Sequence, residues 1–217
     1  MSENQPPEYN QVYAPEVLEF VRHVNTYCQW LEECDTTPGM TFIQEGVSYL
    51  PAIYSSVLAL PKVEPQLEEG NERYVTEQQW SEIYQKVLRL LGPHNAYLRA
   101  AGEDEFDRSD LLSHTISEDL ADLYQDLKDF AMQYRQGVEE LMNDALWEVV
   151  SHFEEHWGTK LLNSLHALHQ LYVHRIDPEK DETRDFQGDA GEVPRYNTGF
   201  FRKFQDQNED DDVSEPD

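Results

Sequence analysis

The strongest constraint on the fold lies between Ser117 and Tyr172, where apolar residues recur every three or four positions. From Ser117 to Tyr134 the set is Leu120, Leu123, Tyr124, Leu127, Phe130, Ala131 and Tyr134. These fall on one helix face that needs a cover. Ser117 is the expected N-cap, with Glu118 and Asp119 in the first turn, where the helix dipole favours negative charge. After Gly137, a predicted break or kink, the period resumes with Val138, Leu141, Met142, Ala145, Val149, Phe153 and Trp157. Gly158 is predicted to end this helix, because glycine takes the left-handed conformation at little cost. Thr159 then caps a last helix whose core face is Leu161, Leu162, Leu165, Leu168, Leu171 and Tyr172, with His166 and His169 beside it.

The preceding chain reads the same way. Pro15 suits a first helical turn, and Val17, Leu18, Val21, Val24, Tyr27, Cys28 and Leu31 keep helical spacing to about Cys34. A second helix from Met40 carries Phe42, Ile43, Val47, Leu50, Ile53, Tyr54, Val57 and Leu58, and Pro51 is expected to kink or divide it. Thr76 and Gln79 form a capping box for a third helix, with Val75 placed to staple against Trp80. That helix carries Trp80, Ile83, Tyr84, Val87, Leu88 and Leu91 and stops at Gly92–Pro93. His94–Asp110 reads as a short helix or ordered loop, and no alternating strand pattern appears. The expected fold is all-α, a single bundle of roughly six helices over residues 14–176. A polar arm, residues 1–13, precedes it. An acidic tail, residues 177–217, follows, with the composition of disorder. The expected core includes Trp30, Leu50, Ile53, Trp80, Leu88, Leu120, Leu127, Met142, Val149, Phe153, Trp157 and Leu165.

Charge narrows the function. Lys and Arg number 16 against 44 Asp and Glu, a net charge of −28. Direct binding to a phosphate backbone needs basic patches, so nucleic acid is excluded as a direct partner. The acidity fits a salt-adapted surface, a patch for a basic partner protein, or mimicry of nucleic-acid charge. No apolar run is long enough to span a bilayer, and the N-terminus has no signal-like apolar segment. Cys28 and Cys34, both assigned to the first helix, stand about 9 Å apart along its axis, too far for a disulfide. A reducing cytoplasm is the expected compartment.

The strings ISEDLADLYQDLKDF (Ile116–Phe130) and MNDALWEVVSHFEEHWGTKLLNSLHALH (Met142–His169) resemble the DUF5063 family of bacterial proteins. The resemblance covers Pro15 to Tyr172. It implies a helical fold in a cytoplasmic bacterial protein and supplies no catalytic residues to carry over. It also brings an association with a neighbouring 3′–5′ exonuclease, which no residue of this chain demonstrates.

Two patterns carry candidate chemistry. Asp119, Asp122, Asp126 and Asp129 step by three, four and three, stacking four carboxylates along one helix side, where like charges destabilise unless cations or solvent relieve them. Glu118-Asp119-Leu120-Ala121-Asp122 is similar to the acidic helix motif of all-α nucleotide pyrophosphatases of the MazG type. That resemblance implies Mg²⁺ held against substrate phosphates, with Glu16 and Glu19 as the second acidic pair. Glu148, His152 and His156 share another face at four-residue spacing, a second candidate metal set. A di-iron Glu-x-x-His pair is absent, as are a phosphate loop and a nucleophile elbow. The favoured reading is a non-enzymatic interaction domain without a cofactor. It would hold a basic protein partner through Asp126 and Asp129, or through the tail island Phe200, Phe201, Arg202, Lys203 and Phe204. The rival is a Mg²⁺-dependent phosphohydrolase.

Overall fold

The computed structural model describes residues 10–67, 71–99 and 112–180. Within them, α1 spans Pro15–Glu32, α2 Gly39–Val57, α3 Glu77–Leu91, α4 Ile116–Tyr134, α5 Glu139–His152 and α6 Gly158–Val173. A two-stranded antiparallel sheet, β1 Ala96–Arg99 and β2 Leu112–Thr115, pairs Ala96 with Thr115 and Arg99 with Leu112. The fold is helical, as the periodicity predicts. The hairpin replaces the loop or short helix expected after His94.

Helix α4 is the hub: it packs against α1, α3, α5 and α6, while α2 closes the far side by packing on α1 and α6. The central position follows from its sequence, since Leu120, Ala121, Leu123, Tyr124, Leu127 and Phe130 are all buried. Two polar anchors tie α1 and the N-terminal segment to it. Tyr27 Oη donates to the Leu120 carbonyl at 2.9 Å, and Tyr134 Oη to the Val12 carbonyl at 2.6 Å. Such buried bonds contribute about 1 kcal/mol each and fix the register of the contact.

Several local expectations hold. Pro15 opens α1, and Thr76 and Gln79 make the reciprocal capping box of α3. Gly92 and Gly137 adopt positive φ, +54° and +72°, where helices α3 and α4 give way. Others need correction. The cap of α4 is Thr115, whose Oγ1 accepts the Glu118 N–H at 3.3 Å. Ser117 is instead buried, donating its N–H to Asn95 Oδ1 at 2.9 Å and so pinning α4 to the start of the hairpin. Pro51 sits inside a continuous α2 rather than dividing it. Cys34 lies in the short 3₁₀ turn after α1, not on the helix. Of the expected core, Trp80, Leu88, Phe153 and Leu165 are only half-buried.

The largest correction concerns Gly158. It has φ −60° and ψ −43° and carries the helix onward instead of stopping it, so Thr159 caps nothing. Phe153–Trp157 form a π-turn, and α5, this turn and α6 make one continuous rod. Glycine is required here by proximity: a Cβ at Gly158 would lie 2.5 Å from the Phe153 carbonyl oxygen. Trp157, fully buried, donates its indole N–H to the Val149 carbonyl at 3.1 Å across the same irregularity.

Candidate functional site

Every carboxylate of the acidic stripe of helix α4 meets a protein donor, with Asp119 and Asp129 buried and Asp122 and Asp126 half-buried. Asp119 is buried and accepts from Tyr97 Oη of β1. Asp122 accepts from the Trp80 indole of α3 at 2.8 Å and pairs with Lys160 of α6. Asp126 meets His152 Nδ1 of α5 at 2.8 Å. Asp129, 4% exposed, takes the backbone N–H groups of Tyr74 and Val75 on one oxygen, at 2.7 and 2.8 Å. Each carboxylate therefore fastens α4 to a different neighbour, and the like-charge stress of the stripe is relieved pairwise.

The same device holds the segment between α2 and α3. Asp144 of α5 accepts the N–H groups of Gln66 and Leu67 at 2.7 and 2.9 Å, and Asn143 Nδ2 donates to the Glu64 carbonyl at 2.7 Å. Asn71 donates to Glu148 and to the Asp144 carbonyl, and Arg73 pairs with Glu148 at 2.8 Å. This strap roofs a polar cleft between α4 and α5 lined by Asp126, Asp129, Gln133, Glu148 and His152. The cleft holds about 10 Å³, the room of one water. The second oxygen of Asp129 points into it without a hydrogen bond, 3.5 Å from the Arg73 guanidinium.

The structure thus gathers some sequence candidates and scatters others. Asp126, Glu148 and His152 converge, His152 Nε2 lying 3.7 Å from Glu148. His156, 63% exposed, meets the His152 ring edge-on at 5.8 Å and lies 3.8 Å from Glu155 but does not line the cleft, and Asp119 and Asp122 lie outside it. Among the described residues no three His, Cys, Asp or Glu side chains are arranged to hold a metal ion. Glu16 and Glu19 are exposed on α1, and Glu19 pairs with Arg22. Asp129, expected as part of a docking face, is an internal clamp, because two backbone amides claim it. Phe200, Phe201 and Phe204 lie outside the described residues. Burial pushes the Cys28 thiol up to about 12 and the Cys34 thiol to about 11, so neither is a thiolate nucleophile at neutral pH.

Burial also raises Asp119, to about 6, against the lowering effects of the Tyr97 hydrogen bond and of Lys160; Asp122 and Glu118 add to the rise. A carboxyl whose folded pKa exceeds its unfolded value binds its proton more tightly when folded. Its contribution is complete below about pH 4 and is lost as pH rises through about 6. Asp119→Asn keeps an acceptor for Tyr97 and removes this loss. Calorimetry between pH 5 and 8 should find the variant melting several degrees above wild type at pH 7.5 and converging with it as pH falls. A constant gap across the range would show that Asp119 does not titrate there.

A second surface was not read from the sequence as a site. Between α2 and α6 lies an open groove of about 410 Å³, lined by Val47, Pro51, Leu162, Leu165, His166 and His169. Leu162 leaves 46% of its surface exposed on this wall, on a helix face expected to be core. The available signal was an apolar face on the last helix broader than one neighbour could cover.

The family described as a domain of unknown function, DUF5063, matches residues 11–174. The fold is similar to the crystal structure of protein BF1032 from Bacteroides fragilis, a structural-genomics target, with 34% sequence identity and a TM-score of 0.66. The similarity covers 74% of this chain and 94% of that one. No functionally curated protein matches the chain.

Proposed function

Because the chain belongs to the DUF5063 family, a domain of unknown function, we propose from its geometry that it is a non-enzymatic interaction domain receiving a short aromatic and basic segment in the α2–α6 groove. The observation that carries this is the groove itself: lined mainly by apolar side chains of α2 and α6, open to solvent, and roomy enough for a helical turn. Bundle grooves of this kind accept an amphipathic segment through anchors at three- and four-residue spacing. The net charge of −28 favours a segment that also carries Arg or Lys.

The acidic stripe supports this reading by its use elsewhere. A Mg²⁺-dependent phosphohydrolase needs carboxylates with free lone pairs converging from two helices. Here Asp119, Asp122, Asp126 and Asp129 are engaged by Tyr97, Trp80 with Lys160, His152, and the Tyr74 and Val75 amides.

Selection of displayed random twelve-residue peptides on the full chain tests the proposal. Aromatic residues at three- or four-residue spacing beside Arg or Lys should be enriched, and Leu162→Glu should abolish the enrichment. Peptides insensitive to Leu162→Glu but lost with Asp126→Asn and Glu148→Gln would overturn the groove in favour of the cleft.

A further inference from the structure

The groove has a candidate occupant within the chain. We infer that the tail segment Phe200–Phe204 folds back and fills the α2–α6 groove in the resting protein, so that a partner must displace it. The inference rests on the groove's being a binding surface.

The route of the chain after α6 favours it. Beyond Val173 the backbone turns at Arg175, which has φ 54°, and Ile176 packs against the core. The Pro178 ring then lies on the N-terminus of α2, 3.0 Å from where a Gly39 Cβ would stand. The described chain therefore leaves the domain beside α2, one of the two helices that wall the groove. Along α2, Gly39 to Val47 is about 12 Å. From Lys180 to Phe200 the backbone can span at most about 70 Å, and a random coil of that length would average roughly 25 Å end to end. The groove is thus well within reach, at an effective concentration on the order of millimolar.

The chemistry of the segment matches the surface. Phe200, Phe201 and Phe204 are separated by one, three and four positions, which puts all three on adjoining faces of one helical turn. Such a turn would set rings against Val47, Pro51, Leu162 and Leu165. Arg202 and Lys203 are a basic pair within a strongly acidic tail, drawn by the field of a chain with net charge −28. Apolar burial provides the affinity and charge the attraction.

The test uses the full chain and a fluorescent peptide of residues 198–206, read by anisotropy. Wild type should bind the peptide at least tenfold more weakly than a Phe200→Ala/Phe201→Ala/Phe204→Ala chain, whose groove is vacant. Adding Leu162→Glu to the triple variant should weaken binding at least tenfold, with an unchanged far-ultraviolet spectrum. Equal affinity of wild type and triple variant would overturn the resident tail while leaving the groove a binding surface. No peptide binding to the triple variant, with its fold intact, would overturn both. If wild type is a dimer that the triple substitution converts to monomer, the tail fills the groove of a second copy, and the fold-back within one chain is overturned.

Discussion

Gly158→Ala is expected to destabilise the protein by about 3 kcal/mol, lowering the melting temperature by roughly 6–12 °C for a domain of this size. The cause is specific. Gly158 donates its N–H to the Phe153 carbonyl, closing the π-turn, and this brings that oxygen within 2.5 Å of where a Cβ would stand, with the Phe153 ring at 2.9 Å. Backbone and ring crowd the site together, so a rotamer change alone gives no relief. In an ordinary helix the same substitution would stabilise by almost 1 kcal/mol, since alanine is the better helix former. The sign of the effect thus distinguishes the π-turn from a regular helix. A rescue follows from the same geometry. A π-turn holds one residue more than the α-helix it interrupts. Deleting Glu155, whose side chain is exposed, should let the helix run regularly while α5 and α6 keep their phases. Glu155 deletion combined with Gly158→Ala should therefore recover most of the lost melting temperature, and thermal unfolding followed by circular dichroism measures both variants. Failure of the deletion to recover any of it would place the strain outside the π-turn.

The helices were legible because a 3.6-residue apolar period survives in every one of them, as in Val17, Phe20, Val24, Tyr27 and Leu31 of α1. The hairpin was not. Its strands are four residues each, AYLR and LSHT, too short to show alternation, and they are joined through a long intervening stretch. β1 is held against α4 by Asn95, just before the strand, whose carbonyl and side chain take the first amides of that helix, and by the Tyr97 hydroxyl on Asp119, tertiary contacts without a local signature. Gly158 misled for a related reason: a glycine that ends a helix and one that lets two turns approach closely look alike in sequence. The stripe was legible as four carboxylates on one side of a helix. Its role was not, because the donors come from elements far along the chain, such as the Tyr74 and Val75 amides and the Tyr97 hydroxyl. Periodicity tells which residues share a face and is silent on what lies opposite.

Asp129→Ala is expected to cost about 2–4 kcal/mol, because it leaves two amide groups and a guanidinium without the acceptor around which they are arranged. Burial raises the pKa of this carboxyl, while the Val75 and Tyr74 amides and Arg73 lower it. The site thus bears the desolvation of a charge for the sake of its hydrogen bonds. Asp129→Asn keeps one oxygen for both amides and sheds the buried charge, so it should lose clearly less than alanine. The loss should also be local. The segment from Asn71 to Thr76 is joined to α4 through Asp129 and Gln133, and to α5 through the bonds of Asn71 and Arg73 to Asp144 and Glu148. Without Asp129 the amides of Tyr74 and Val75 should exchange with solvent at least tenfold faster, whereas those of α1 and α2 should slow or quicken only in step with global stability. Val75 is buried and immediately precedes the Thr76 cap, so release of the strap should also reach the first turn of α3. Hydrogen exchange read by mass spectrometry separates these segments. Uniform acceleration across all helices would mean that Asp129 supports the whole bundle. Acceleration confined to the strap and the start of α3 would establish that an acidic helix face, suggestive of metal or partner binding, serves to fasten a connecting segment across two helices.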